Sequence, residues 1–520
     1  MTSFSATSSV QPSAALRALA VVAVLYILLW TVAPPMLSPS FPLDVVESLS
    51  WGREWQWGYY KHPPLAPELL HVFFLLFGRF GPFLLSQLCI AATLWLVWCT
   101  GRRLMSPDRA LLGAVLTMGV VYYTFPALEF NHNIAQMPLW AALGYALLMA
   151  LQQGRLYHWL LLGALAGVGL LTKYSVAILL IAQALYLLLG PDRRCLRQPG
   201  PWLALLVMVL VFLPHGMWLY QSDWLPFSYA SERAAAVGVH TRLGAISFLG
   251  AQILSHLPML VIVLIAALWA RRQARAVAPE AGPWRLQTQN AAYLLAVALL
   301  PGLLLTTLGL VTGARVRDMW GSPMWMFSGL LVMACLSDRW FQSMRERLLR
   351  GVTVWLVLVS LLTGAYLAWG AQWRQRPARM DWPAAAMATQ AETAWAQHSH
   401  CRLDVVAGDY WLAGLVATAS PQGPSVLITR DPRFSPWVTT QRLKQHGALW
   451  VWQLDPGGAD PQAPAPLDAV QDDPALQLFQ GQWDIPWPYA PRSEPLTMGW
   501  RAYVPKGCVQ AAPSPSGAAG

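Results

Sequence analysis

The chain has 520 residues, of which 56% are hydrophobic and 12% charged, with a mean hydropathy of +0.41 and a formal net charge of +10. So much apolar and so little charged sequence excludes an ordinary soluble globular protein and a disordered one. The positive balance rests mostly on Arg in short loops, which suits anionic lipid head groups and requires no nucleic-acid partner.

A helix needs about 17–25 apolar residues to cross roughly 30 Å of hydrocarbon. About eleven such runs occur, near 14–33, 82–100, 110–126, 133–150, 157–172, 174–190, 201–219, 247–269, 289–311, 320–337 and 351–370. The first has no small-residue cleavage site before Pro34-Pro35 and reads as a retained helix rather than a leader. Basic loops stay in the cytoplasm. An inward N-terminus makes 101–109, 151–156, 191–199, 270–288 and 338–350 cytoplasmic, and these hold about fifteen Arg, against about eight basic residues in the longer opposite loops. The expected architecture is a polytopic α-helical membrane domain over 1–373, with outward loops near 34–81, 122–133, 220–246 and 312–319. A soluble domain over 374–520 follows on the outer, periplasmic side, as in a bacterial inner-membrane protein.

The first outward loop carries charge against the positive-inside bias, so its charges need another reason to exist. If 44–57 is one helix, Asp44, Glu47, Trp51 and Glu54 share a face. Asp44 and Glu47 after Pro42 also fit a helix cap. Tyr59 and Tyr60 follow, then Lys61-His62-Pro63-Pro64-Leu65, where a cation and an imidazole precede a stiff corner; proline fixes its own φ and restricts the residue before it. A cation held near carboxylates suits a phosphate-bearing substrate that also needs a base.

These residues resemble the GT-C glycosyltransferases of the protein-mannosyltransferase type, and more narrowly their bacterial glycosyltransferase family 39 branch, which includes lipid A aminoarabinose transferases and lipopolysaccharide galacturonosyl transferases. The likeness is strongest over 40–70 and extends through the topology of 1–370. It implies a GT-C-like fold and transfer of a sugar from a polyprenyl-phosphate donor to a lipid or glycan acceptor at the outer face. By the same resemblance Asp44 is the base, Glu47 is the second catalytic candidate, and Lys61 binds the donor phosphate, with His62, Lys173, Arg315 and Arg317 as further phosphate-binding candidates. The chain departs from the family pattern in two places: adjacent Asp-Glu becomes Asp44-x-x-Glu47, and His62 stands between Lys61 and Pro63.

Further candidates lie on other outward segments. Glu129 and His132 stand at the mouth of two spans, within a stretch, Asn131-His132-Asn133, that also fits a helix cap. Lys173 sits at a helix junction, where a cation near hydrocarbon is costly and either has a partner or snorkels to the interface. Arg315 and Arg317 offer guanidinium forks for phosphate, or interfacial anchors. His240, Arg242 and His256 flank the 220–246 loop. Asp44, Glu47, His62 and His132 leave a divalent metal open, although no ligand spacing supports one and no cofactor is called for.

The 374–520 segment shows short apolar runs at 403–407, 425–428 and 448–453 separated by helical patterns at 383–398, 409–419 and 436–446, an α/β layer. Cys401 and Cys508 are its two cysteines, which in an oxidising compartment favours a disulfide over two buried thiols.

Overall fold

The computed structural model describes residues 13–236, 243–274, 291–313, 316–374, 377–429, 432–454, 467, 470, 473–488 and 494–510. The helices, in order, are α1 (Ala14–Leu37), α2 (Leu43–Gly52), α3 (Leu65–Phe77), α4 (Gly81–Leu104), α5 (Pro107–Leu116), α6 (His132–Gln153), α7 (Leu156–Thr172), α8 (Val176–Leu189) and α9 (Pro199–Gln221). There follow α10 (Leu225–Ala236), α11 (Leu243–Ser255), α12 (Leu257–Ala274), α13 (Ala291–Thr312), α14 (Ser328–Cys335) and α15 (Asp338–Trp373).

Among the described residues, six helical segments are long and apolar enough to cross a membrane, or up to eight if each bent pair is one span. One bent pair, 107–119 with 121–128, turns by 91°, and the other, 244–255 with 257–272, by 45°. The three remaining expected spans are shorter than those six: α7 has 17 residues, close to its expected length, α8 has 14, and the region 320–337 divides into a 3-10 segment, Asp318–Trp325, and the eight-residue α14. Helices differ sharply in what surrounds them. The apolar window of α6 is 78% buried, whereas those of α1 and α9 are 22% and 17% buried. With no water to exclude in hydrocarbon, apolar side chains are tolerated on every side of a helix, and α6 is the internal post around which the others stand.

The chain then forms α16 (Ala384–His398), β1 (Val405–Gly408), α17 (Tyr410–Ala419), β2 (Ser425–Ile428), α18 (Thr440–His446), β3 (Ala448–Gln453), β4 (Leu476–Ile485) and β5 (Leu496–Pro505). The five strands make one sheet in the order β2-β1-β3-β5-β4. β1 is parallel to β2 and β3, while β5 runs antiparallel to both β3 and β4. Cys401 and Cys508 form a disulfide with Cα atoms 5.4 Å apart, joining the segment before β1 to the one after β5.

This α/β layer does not float free of the helices. Gly414 of α17 lies so near α2 that a Cβ there would sit 2.7 Å from Val46 Cγ1 and 3.1 Å from Ser50 Oγ. The Arg53 side chain also donates to the Pro424 carbonyl at 2.6 Å. A small residue at the crossing is what permits this closeness.

Candidate active site

The site is assembled around α2. Pro42 precedes the helix and has no side-chain cap, and Asp44 falls in the first turn, where the helix dipole favours negative charge. Neither Asp44 nor Glu47 serves as the N-cap. The backbone N–H of Asp44 donates to Glu129 Oε1 at 2.8 Å, tying the helix start to the segment before α6. Residues 45–52 are all buried.

The helix ends at Gly52, short of the 44–57 span that the spacing suggests. A Cβ on Gly52 would lie 2.0 Å from the Pro67 carbonyl oxygen, so only glycine allows this approach of α2 to α3. Trp55 adopts a left-handed conformation with φ of 48°, and Glu54, now past the helix, faces Ser425, Arg53 and Arg442 instead of sharing a surface with Asp44 and Glu47.

Tyr59 and Tyr60 are nearly inaccessible. Tyr59 and His62 exchange reciprocal backbone hydrogen bonds of 3.0 and 3.2 Å, closing a turn with Tyr60 and Lys61 at its tip. From there Lys61 Nζ donates to Glu47 Oε1 at 2.5 Å, and the Tyr60 hydroxyl donates to the same oxygen at 3.1 Å. Trp51 is wholly buried and stacks on Tyr59 with ring centroids 5.6 Å apart. Burial raises the Glu47 carboxyl, opposed by Lys61, and a buried carboxylate of this kind depends on its cation to stay ionised.

Asp44 is the more exposed carboxylate. Burial raises it too, and it is pulled back by Lys173, by a hydrogen bond from Asn131, by Lys61 and by Arg317. Glu129 is pushed up to about 7, first by burial and then by the negative charge of Asp44. Lys173 reaches this place from the α7–α8 junction and hydrogen-bonds to Asn133 Oδ1. Asn131 caps α6 by accepting from the N–H groups of Asn133 and Ile134 at 2.9 and 3.2 Å, so its cap role and its contact with Asp44 coexist.

His62 and His132 lie with ring centroids 4.0 Å apart, and Trp51 is 6.3 Å from each. Burial, with the nearby His132, Lys173 and Lys61, pushes His62 well below its ordinary range. His132 Nε2 is buried without a hydrogen-bond partner. Among the described residues no group of three or more His, Cys, Asp or Glu side chains is arranged to hold a metal ion.

Asp44, Glu47, Trp51, Tyr59, Tyr60, Lys61, His62, Glu129, His132, Lys173 and Arg317 are thus linked into one neighbourhood. Arg315, His240 and Arg242 lie outside the described residues. His256 is elsewhere: it bonds Ser328 Oγ at 3.0 Å and the Gln252 carbonyl at 2.7 Å across the α11–α12 bend. Sequence reasoning passed over His215, which is fully buried on α9. Its Nδ1 lies 2.5 Å from the Trp57 carbonyl oxygen and its Nε2 2.9 Å from the Tyr174 hydroxyl, linking the first outward loop to the residue after Lys173. A His beside Pro214 in an apolar helix was the available signal.

This constellation can do two things chemically. A carboxylate with a raised affinity for protons can take one from an incoming hydroxyl, and clustered cations can stabilise a departing phosphate. With multiple apolar helices around it, the constellation has the parts that group transfer from a membrane-borne, phosphate-bearing donor needs.

The sequence model described as dolichyl-phosphate-mannose-protein mannosyltransferase matches residues 61–218. The chain is 27% identical to the lipopolysaccharide core galacturonosyltransferase RgtB of Rhizobium johnstonii, over 84% of this chain and 87% of that protein. It is 26% identical to RgtA of the same organism over 57% of this chain and 60% of the relative. The fold is similar to that of ArnT from Cupriavidus metallidurans bound to undecaprenyl phosphate, with a TM-score of 0.63 at 14% identity, covering 92% of this chain and 97% of that one. The apo form of the same protein gives 0.59 at 15% identity, covering 94% and 98%.

Proposed function

We propose that the chain transfers a sugar from a polyprenyl-phosphate donor to a lipopolysaccharide or lipid A acceptor at the periplasmic face of a bacterial inner membrane. Asp44 removes the acceptor hydroxyl proton. The freed oxygen attacks the anomeric carbon, the bond from that carbon to the phosphate oxygen breaks, and polyprenyl phosphate leaves with its electron pair. One displacement inverts the anomeric centre and needs no covalent sugar intermediate. Lys61, Lys173 and Arg317 receive the phosphate charge, with Arg315 and His62 assigned to the same donor end. Glu129, His132, Trp51, Tyr59 and Tyr60 wall the substrate pocket. The proposed topology has about eleven crossings over 1–373, an inward N-terminus and an outward domain over 374–520.

The observation that carries this reading is Asp44 itself, a carboxylate in the first turn of α2 with three cations acting on it from three separate segments. The lipopolysaccharide acceptor is supported by RgtB, which matches over most of both chains. The test is transfer in native membranes from a panel of polyprenyl-phosphate sugars, beginning with galacturonic acid, 4-amino-4-deoxyarabinose and mannose, onto lipopolysaccharide and onto a protein acceptor. Transfer to lipopolysaccharide that Asp44→Asn abolishes is the expected result. Transfer only to protein would overturn the acceptor, and no transfer from any donor would overturn the reading.

A further inference from the structure

Lys61 is held by more than its carboxylate. Its Nζ lies 4.6 Å from the ring centroid of Tyr410, 5.0 Å from that of Tyr60, 5.5 Å from that of Tyr229 and 5.9 Å from that of Trp51. Two of these rings belong to the first outward segment, while Tyr229 comes from α10. The nearest, Tyr410, is the first residue of α17 and belongs to the α/β layer.

Two local features hold the Tyr410 ring there, and a third braces two of the other rings. Asp409 caps α17 by accepting from the Trp411 N–H at 2.9 Å. Gly414, one helical turn on, is pressed against Val46 and Ser50 of α2, the helix that carries Glu47. Phe434 of the same layer stacks on Tyr60 with centroids 4.4 Å apart and meets the Tyr229 ring edge-on at 5.9 Å. The α/β layer therefore supplies one wall of the Lys61 seat and braces two others.

We propose that Tyr410 is a positioning residue for Lys61: the C-terminal layer fixes the ammonium group by a ring face, so the site is incomplete without that layer. Ring faces attract a desolvated cation through their quadrupole, and this attraction is directional. Glu47 alone can hold Lys61 in several rotamers, since an ammonium on four methylenes is flexible. The surrounding rings leave one. The inference rests on the donor-binding role proposed for Lys61 and adds the source of its geometry.

The test uses the full-length protein in detergent or native membranes with two readouts. The first is the rate at which Lys61 is modified by an amine-reactive probe at alkaline pH, followed by mass spectrometry; the sequence has only four lysines, so Lys173, Lys444 and Lys506 serve as internal references. Tyr410→Leu is expected to raise Lys61 labelling about tenfold, and Tyr410→Phe, which keeps the ring, to change it less than about twofold. The second readout is transfer kinetics: the Leu variant is expected to raise the donor KM about tenfold with kcat changed far less, and the Phe variant to restore it. Gly414→Val, which pushes α17 off α2 without touching Lys61, is expected to reproduce the Leu variant. Equal labelling in wild type and Tyr410→Leu would overturn the inference while leaving the proposed transfer intact. Labelling that rises as expected with no transfer from any donor would instead retain the seat and overturn the enzymatic reading.

Discussion

Lys61 and Lys173 both act on the Asp44 carboxylate, yet the two regions that present them are built differently. Lys61 stands at the tip of a closed turn, with a buried carboxylate beneath it and aromatic rings around it drawn from three parts of the chain. Lys173 stands where α7 gives way to α8, and its partner is the neutral Asn133. One cation is fixed by charge and enclosure. The other is fixed by backbone position and one amide. The first seat is costly to disturb because removing one member of a buried ion pair leaves the other uncompensated; the second carries a smaller penalty, because Asp44 would still have Lys61 and Arg317 acting on it.

The largest expected effect concerns the group that both cations serve. Asp44→Asn should lower transfer by about 100- to 10,000-fold with little change in thermal stability, because it keeps shape but not basicity; equal activity in the Asn variant would reduce Asp44 to a structural role. Next, Lys61→Ala should destabilise the protein by about 2–4 kcal/mol in thermal or chemical unfolding, and Glu47→Gln in the same chain should recover most of it. Lys173→Met should cost less than Lys61→Ala, since its hydrogen-bond partner Asn133 is neutral and Asp44 keeps Lys61 and Arg317, while still raising the donor KM. If the two lysines destabilised equally, the contrast between charged and neutral seats would be wrong.

Smaller effects sharpen the comparison. Cys401→Ser with Cys508→Ser opens a link that spans 107 residues around the α/β layer. It should cost about 2 kcal/mol of that layer's stability, and it should loosen Lys61 more than Lys173, because only Lys61 touches the layer. Differential amine labelling of the two lysines checks this. The smallest is a pH effect. Burial and Asp44 push Glu129 from 4.5 up to about 7, so its protonated form is favoured in the folded protein. The stability this contributes is complete below pH 4.5 and is lost as pH rises through about 7. Wild type should therefore lose thermal stability across that window relative to Glu129→Gln, and its donor KM should rise as a second negative charge appears beside Asp44.

How far the site was legible in sequence follows from the range of each interaction. Asp44, Glu47, Lys61 and His62 lie within 19 positions of one another, in a charged stretch that an outward loop does not otherwise require. Which carboxylate takes which cation was not legible. Lys61 pairs with Glu47, and the partner of the Asp44 amide is Glu129, 85 positions away. Glu54 was placed on the wrong surface because carboxylate spacing suggested a longer helix, while the contact that ends α2 at Gly52 is made with Pro67 on another element. In the α/β layer, β1, β2 and β3 announced themselves as apolar runs. β4 and β5 did not: β4 is mostly exposed, and it is held by backbone pairing to β5, which no side-chain pattern records.

The sequence by itself determined that the chain is a polytopic helical membrane protein, and it marked the segment that carries the chemistry. Hydropathy over twenty residues and charge in a short loop are local quantities, readable without neighbours. Only the tertiary structure decided that α6 is an internal post while the more apolar α9 is mostly exposed, that Lys173 and Asn131 converge on Asp44, and that Tyr410 closes over Lys61. Those outcomes depend on which surfaces meet, and contacts such as Gly414 against Val46 are set by packing between segments hundreds of residues apart.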